Sequence, residues 1–315
     1  MLFDHIPSSS SLLRALRLAT LCAAILTGAT VHAALKVVTT TPDLAALVAE
    51  IGGDQVSVTP LSRPGQDPHY VDPKPSLVVT LARADMLVFN GLELEIGWLP
   101  PLQTNSRNAA IQQGGAGYFD ASRHVQPLEV SHETNRAMGD IHPGGNPHYL
   151  YDPRRGAAVA KALGTKLGEL APEQRDFFLQ SADRVARKLQ TLAHKESARF
   201  RALAPEKRRV VTYHRSLVYI IDWLGLERPI TVEPRPGVAP SPSHVARVLS
   251  AMRSQKIGTI LQERFYPTKT SETLARMTQS RVVILPGGAN FMDKKELYSD
   301  RIQRTTEAIY GTLAR

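Results

Sequence analysis

From Pro172 to Leu203 the chain carries one unbroken helical pattern. Phe178, Ala182, Val185, Leu189 and Leu192 recur at steps of four and three, and Phe200 and Leu203 extend the stripe until Pro205 stops it. At 1.5 Å per residue, roughly thirty residues span about 45 Å, the length of a whole domain. On both sides of it lie alternating strands and helices. A helix of this length in that position is a backbone joining two lobes, not a crossover within one sheet.

The N-terminal side reads strand 35–41 (LKVVTTT), a helix from Pro42-Asp43 closed by Gly52-Gly53, strand 55–61, helix 77–84 and strand 84–91 (ADMLVFNG). That order is the signature of a parallel sheet with crossover helices. Residues 114–147 are rich in Gly, His, Asn and Pro without apolar period and read as mostly irregular loop, followed by a helix from Arg154 to about Leu170. The C-terminal side repeats the logic. Strands are expected at 208–214, 257–263 and 281–288, and helices at 216–226, 244–256, 271–279 and 295–313. The expected fold is α/β, two lobes of mostly parallel sheet flanked by helices and joined by one long rigid helix. The divisions are an N-terminal lobe over 34–170, the linking helix over 171–205 and a C-terminal lobe over 206–315.

Residues 1–33 are a separate matter. Arg14 and Arg17 precede an apolar run from Leu18 to Ala29, and Val31-His32-Ala33 offers small residues for cleavage, the pattern of a secretory signal peptide. Its removal takes two Arg and one Asp from the chain, so the net charge falls from +9 to +8. The single cysteine, Cys22, leaves with it, and Leu21 before it is a poor residue for lipid attachment. The mature chain then has no thiol and cannot build a cysteine-type zinc site. A basic balance on an exported chain reflects a solvated surface rather than a nucleic-acid partner. No later run reaches membrane length, so the mature protein is expected to be soluble; the leader places it in the periplasm, and a monomer is expected.

One phrase occurs twice. Residues 67–76 read DPHYVDPKPS and 146–153 read NPHYLYDP. The residue before each proline is pushed out of the helical region, so His69 and His148 follow stiffened approaches, and each later Asp-Pro suits a helix start with Asp as N-cap. A lone loop histidine ordinarily faces solvent. Two in the same rigid phrase can meet by tertiary folding and hold something that two imidazoles can hold. His69 follows one strand's carboxyl end and His214 ends another, the edge at which open α/β sheets bind ligands. Three imidazoles thus point to one cleft.

These blocks, together with ADMLVFNGLELEIGWL (84–99), YHRSLVYIIDWLGL (213–226) and SPSHVARVLSAMRSQKIGTILQE (241–263), resemble the zinc- and manganese-binding solute-binding proteins of bacterial ABC importers, the cluster A-I family. The resemblance covers essentially the whole mature chain. It implies two α/β lobes on one helix, a metal ion in the cleft between them, delivery to a membrane permease, and metal-ligand roles for His69, His148 and His214. The family's fourth ligand is usually an Asp or Glu just after the strand that here is VVIL (282–285), but this chain continues Pro286-Gly287-Gly288, with no ligating side chain. The long His- and acid-rich loop of many zinc-binding members is also missing, leaving His124, His132 and His142.

Glu263, which ends the strand IGTILQE, is the acid expected at the cleft, as fourth ligand or as a partner behind one. Three imidazoles favour zinc, whereas manganese prefers oxygen donors. Manganese or iron capture is the alternative metal reading, and an exported adhesin-like module is another. A zinc hydrolase would need a general base at the open position, and nothing of the HExxH kind is present, so no enzyme is expected.

Overall fold

The β-branched runs form parallel strands, each followed by a helix that returns the chain to the same edge. In the computed structural model the residues described are 33–130, 142–235 and 237–315, so the leader before Ala33 and His132 lie outside them. The first sheet is built from β1 (Leu35–Thr39), α1 (Pro42–Gly52), β2 (Val56–Pro60), α2 (Pro75–Ala82), β3 (Met86–Phe89), α3 (Leu99–Asn105) and β4 (Tyr118–Asp120). Its strands run in the order β2-β1-β3-β4, all parallel, with Val37 of β1 paired to Val58 on one side and Met86 on the other. A parallel sheet is covered on both faces, which is why Val37, Val38 and Thr39 are buried in succession rather than alternately.

The chain continues through α4 (Pro153–Leu170) and α5 (Arg175–Arg201) to a second sheet. This comprises β5 (Val211–Thr212), α6 (Val218–Leu224), α7 (Pro242–Ser254), β6 (Thr259–Glu263), α8 (Lys269–Thr278), β7 (Arg281–Leu285), α9 (Phe291–Lys294) and α10 (Tyr298–Leu313). Its order is β5-β6-β7, again parallel. The long helix α5 buries Phe178, Ala182, Val185, Leu189 and Phe200. It lies against α1 and α4 from the first half and against α6 and α10 from the second. One apolar interior runs through both halves and includes Val37, Leu47, Leu163, Leu189, Trp223, Leu261 and Ile302. Among the described residues no helix is long and apolar enough to cross a membrane.

Several local expectations need correction. The long helix begins at Arg175, because Pro172–Gln174 form a tighter 3₁₀ turn. The strand expected over 208–214 shortens to Val211–Thr212. The region 114–147 holds β4 and a 3₁₀ turn at Ala121–His124, elements too short to show a period. The final helix starts at Tyr298, since Lys295 adopts a left-handed conformation (φ 49°) that ends the short α9 before it. Asp72 caps no helix: a second proline two residues on moves the start of α2 to Pro75, with Lys74 extended before it. Asp152 does cap α4, its side chain accepting from the Arg154 N–H, with Pro153 in the first turn.

Candidate metal centre

His69 sits in the loop that leaves β2. Its backbone N–H donates to Asp67 Oδ1 at 3.0 Å, and its ring Nδ1 lies 2.7 Å from the same oxygen. The Pro68 carbonyl between them accepts from the Trp98 indole at 2.9 Å, which fixes the loop to the start of α3. Burial acts to raise Asp67, but the hydrogen bonds from His69 hold its carboxyl below the usual range. An ionised carboxylate accepts only, so it selects the Nδ1–H tautomer and leaves the His69 Nε2 lone pair on the opposite side of the ring.

His148 repeats that turn with Asn in place of Asp. The His148 N–H donates to Asn146 Oδ1 at 3.1 Å. The Pro147 carbonyl accepts from Asn90 Nδ2 at 2.5 Å, and the Asn90 carbonyl accepts from the Tyr149 hydroxyl at 2.6 Å. Behind them Glu95 is buried and accepts from the Thr40 hydroxyl (2.6 Å) and the N–H groups of Asn90 (2.7 Å) and Gly91 (3.1 Å). Burial pushes the Glu95 carboxyl up to about 7. The Asn146 amide reaches the second half of the molecule, donating to the Arg215 carbonyl at 3.1 Å.

His214 follows β5, held by a bond from the Thr212 hydroxyl to its carbonyl at 2.8 Å. Its Nδ1 is bonded to Glu233 Oε2, so here too a carboxylate behind the ring frees Nε2. Glu263 ends β6, fully buried, with one oxygen accepting from the Ser216 hydroxyl. Its other oxygen is sealed from solvent with no hydrogen-bond partner, and burial raises its pKa.

The three histidines expected from the sequence come together. Ring centres are 5.2 Å apart for His69–His148, 6.0 Å for His148–His214 and 6.4 Å for His69–His214. A fourth ring joins them. His142 lies 5.4 Å from His69 between ring centres and 3.3 Å between Nε2 atoms. His148 Nε2 is buried with no hydrogen-bond partner, and burial, with the neighbouring imidazoles, holds its pKa well below the usual histidine value. A neutral imidazole with an unused buried lone pair is a metal donor in waiting. As placed, the rings stop short of a closed coordination shell, and among the described residues no three His, Cys, Asp or Glu groups converge to binding distance. Of the other loop histidines, His124 stacks on Phe119 and stands apart from the cluster.

Sequence reasoning passed over Asp67, although it stands in the repeated phrase, and over Asn90 and Glu95 in the 84–99 block. Glu233 had no signal, nineteen positions from the histidine it orients. His142 had none beyond its residue type.

The family model for periplasmic component A of the zinc-uptake complex matches residues 37–312. The manganese ABC transporter substrate-binding lipoprotein PsaA of Streptococcus pneumoniae is 25% identical over 77% of this chain and 76% of its own. Among solved structures, ZnuA superposes with a TM-score of 0.74 at 23% identity, over 89% of this chain and 100% of that one. The manganese-bound periplasmic metal-binding protein of Candidatus Liberibacter asiaticus gives a TM-score of 0.72 at 22% identity, over 89% and 99%. At these identities the two structures establish the fold, two lobes carried on a long helix.

Proposed function

We propose that this chain, which belongs to the family of periplasmic zinc-uptake component A, captures zinc between its two halves and surrenders it to the membrane permease of a metal ABC importer. The family consists of solute-binding proteins, not enzymes, and metal capture for an ABC transporter is common to its members and to the curated relatives. The finer reading assigns His69, His148 and His214 as zinc ligands in a protein exported by cleavage near Ala33 and acting as a monomer. Glu263 serves behind the ligands, bonded to Ser216 beside His214.

The observation that carries this reading is the sealed Nε2 of His148, unpartnered among imidazoles whose own outer nitrogens are bonded to Asp67 and Glu233. Burying a nitrogen acceptor without a partner costs free energy, and a cation bound there offsets that cost. Imidazole donors rank zinc above manganese, and the chain lacks a ligating side chain at Pro286-Gly287-Gly288 to supply oxygen. What speaks for manganese is the unpartnered oxygen of Glu263 and the metal named for PsaA.

Metal analysis of the purified mature protein, followed by competitive titration, separates the two. One equivalent of zinc, held at least about a hundredfold more tightly than manganese, is expected from a nitrogen-rich site. Equal affinities would overturn zinc as the cargo, and absence of any bound metal would overturn capture itself. Replacing Glu263 with Gln should weaken zinc by about tenfold to a hundredfold, the range for a partner behind a ligand.

A further inference from the structure

We infer that His142 is the fourth zinc ligand, filling from the first half of the chain the place for which the resemblance leads one to expect a carboxylate after β7 and none is present. This rests on the zinc reading of the same site. Four imidazoles on a tetrahedral ion with metal–nitrogen bonds of about 2.0–2.1 Å hold their nitrogens about 3.3–3.4 Å apart and their ring centres about 5 Å apart. The His69 and His142 Nε2 atoms stand at 3.3 Å. The ring centres of His69 and His142, at 5.4 Å, and of His69 and His148, at 5.2 Å, fit the same shell. Because Asp67 takes the His69 Nδ1–H, the His69 Nε2 lone pair faces His142 Nε2, where a cation would sit between them.

On the opposite side, a carboxylate at Gly287 would meet an aromatic ring. A Cβ built on Gly287 would lie 2.5 Å from the Phe265 ring and 3.5 Å from the Gly65 Cα, so a side chain there must displace the aromatic ring. Gly288 is turned toward Pro42 and Asp43. Pro286-Gly287-Gly288 therefore offer no ligand from this side, and His142 stands beside His69 on the other.

Charge also balances. Four neutral imidazoles leave a dication uncompensated in a low-dielectric site, which is costly. Asp67 and Glu233, each bonded to the outer nitrogen of a ligand histidine, supply two negative charges one layer out. The set is therefore electrically complete without a ligating carboxylate. It also has a built-in asymmetry: His69, His142 and His148 all come from the first half, with His69 at near-final spacing from each of the other two. His214, from the second half, stands 6.0 and 6.4 Å from His148 and His69 and must approach by about an ångström to complete a shell of that size.

The test uses the full mature protein loaded with zinc or cobalt(II). X-ray absorption should count four imidazoles in the wild type and three in His142→Ala, with an oxygen from water in the fourth place. The cobalt(II) visible bands should change accordingly. Zinc affinity of His142→Ala should fall by about a hundredfold or more, exceeding the loss for a partner behind a ligand, while manganese affinity holds, so that the preference narrows. His142→Asn, with the metal-free melting curve of each variant, guards against misfolding. A wild-type ligand count of three imidazoles, or zinc affinity unchanged in both variants, overturns the role of His142 and leaves three-histidine capture standing. A wild type that binds no metal overturns the zinc reading as a whole.

Discussion

The loops of His69 and His148 are built from the same phrase and reach the same point by different means. In each, Asp or Asn accepts the histidine N–H two residues on, and the intervening proline carbonyl accepts one side-chain hydrogen bond. Beyond that turn they diverge. Tyr70 is 62% exposed whereas Tyr149 is fully buried. The Asp72 side chain is 75% exposed beside Lys74, whereas Asp152 is fully buried between Arg154 and Arg155. One phrase is an outer wall of the cleft, and the other is part of the interior. A short motif thus specifies a turn and the placing of an imidazole, while its surroundings decide how much stability hangs on it.

The largest test of the likeness is to remove the histidines themselves. His69→Ala and His148→Ala should each lose more than the roughly hundredfold in zinc affinity that outer partners command, read by competition with a chromophoric chelator. A large loss in only one would mean that the two loops are not equivalent at the metal.

The contrast is sharpened by the aspartates. Asp152→Ala removes a helix cap and a buried acceptor for two guanidinium groups, and should cost about 2–4 kcal/mol in urea denaturation. Asp72→Ala should change stability by no more than about 0.5 kcal/mol, as for an exposed site. Comparable losses would contradict the assignment of the first phrase to the outer wall.

A smaller effect separates the first residues of the two turns. Asp67→Asn keeps the acceptor for the His69 N–H but removes the charge behind its ring, and should lower zinc affinity by about tenfold to a hundredfold. Isothermal titration of this variant measures that charge directly; no change would show that the carboxylate only shapes the loop.

The smallest concerns pH. The His69 turn is braced by a neutral indole, the His148 turn by Asn90 and behind it Glu95, whose carboxyl lies at about 7. In the unfolded chain a glutamate titrates near about 4.3, so between these values the folded state binds more protons. The contribution from Glu95 is therefore full below the unfolded value and is lost as pH rises through 7. Glu95→Gln should flatten the dependence of melting temperature on pH across that window, and a slope equal to that of the wild type would refute it.

The parallel sheets, the long helix and three of the four clustered imidazoles were legible because each rests on a local pattern: β-branched runs, a three-four stripe, an Asx-Pro-His phrase for His69 and His148, and the end of a β-branched run for His214. Glu233 and His142 were not, because they reach the site through loops whose course no period encodes. The start of α2 was misplaced for a different reason: two prolines compete for the first turn, and the later one wins. Glu263 was found at its strand end, but its depth behind Ser216 follows from packing that only the folded chain contains.

The apolar interior shared by the two sheets has a consequence for letting cargo go. Residues 34–315 form one compact unit, so melting should be a single cooperative event rather than one lobe before the other. Wide hinge opening would tear that common interior, exposing side chains such as Leu189 and Trp223, each worth about 1.5–3 kcal/mol or more when buried. For the proposed zinc shell, release would have a cheaper route through the loops of the rim, where shifting one imidazole by about an ångström would open the shell while the core stays shut.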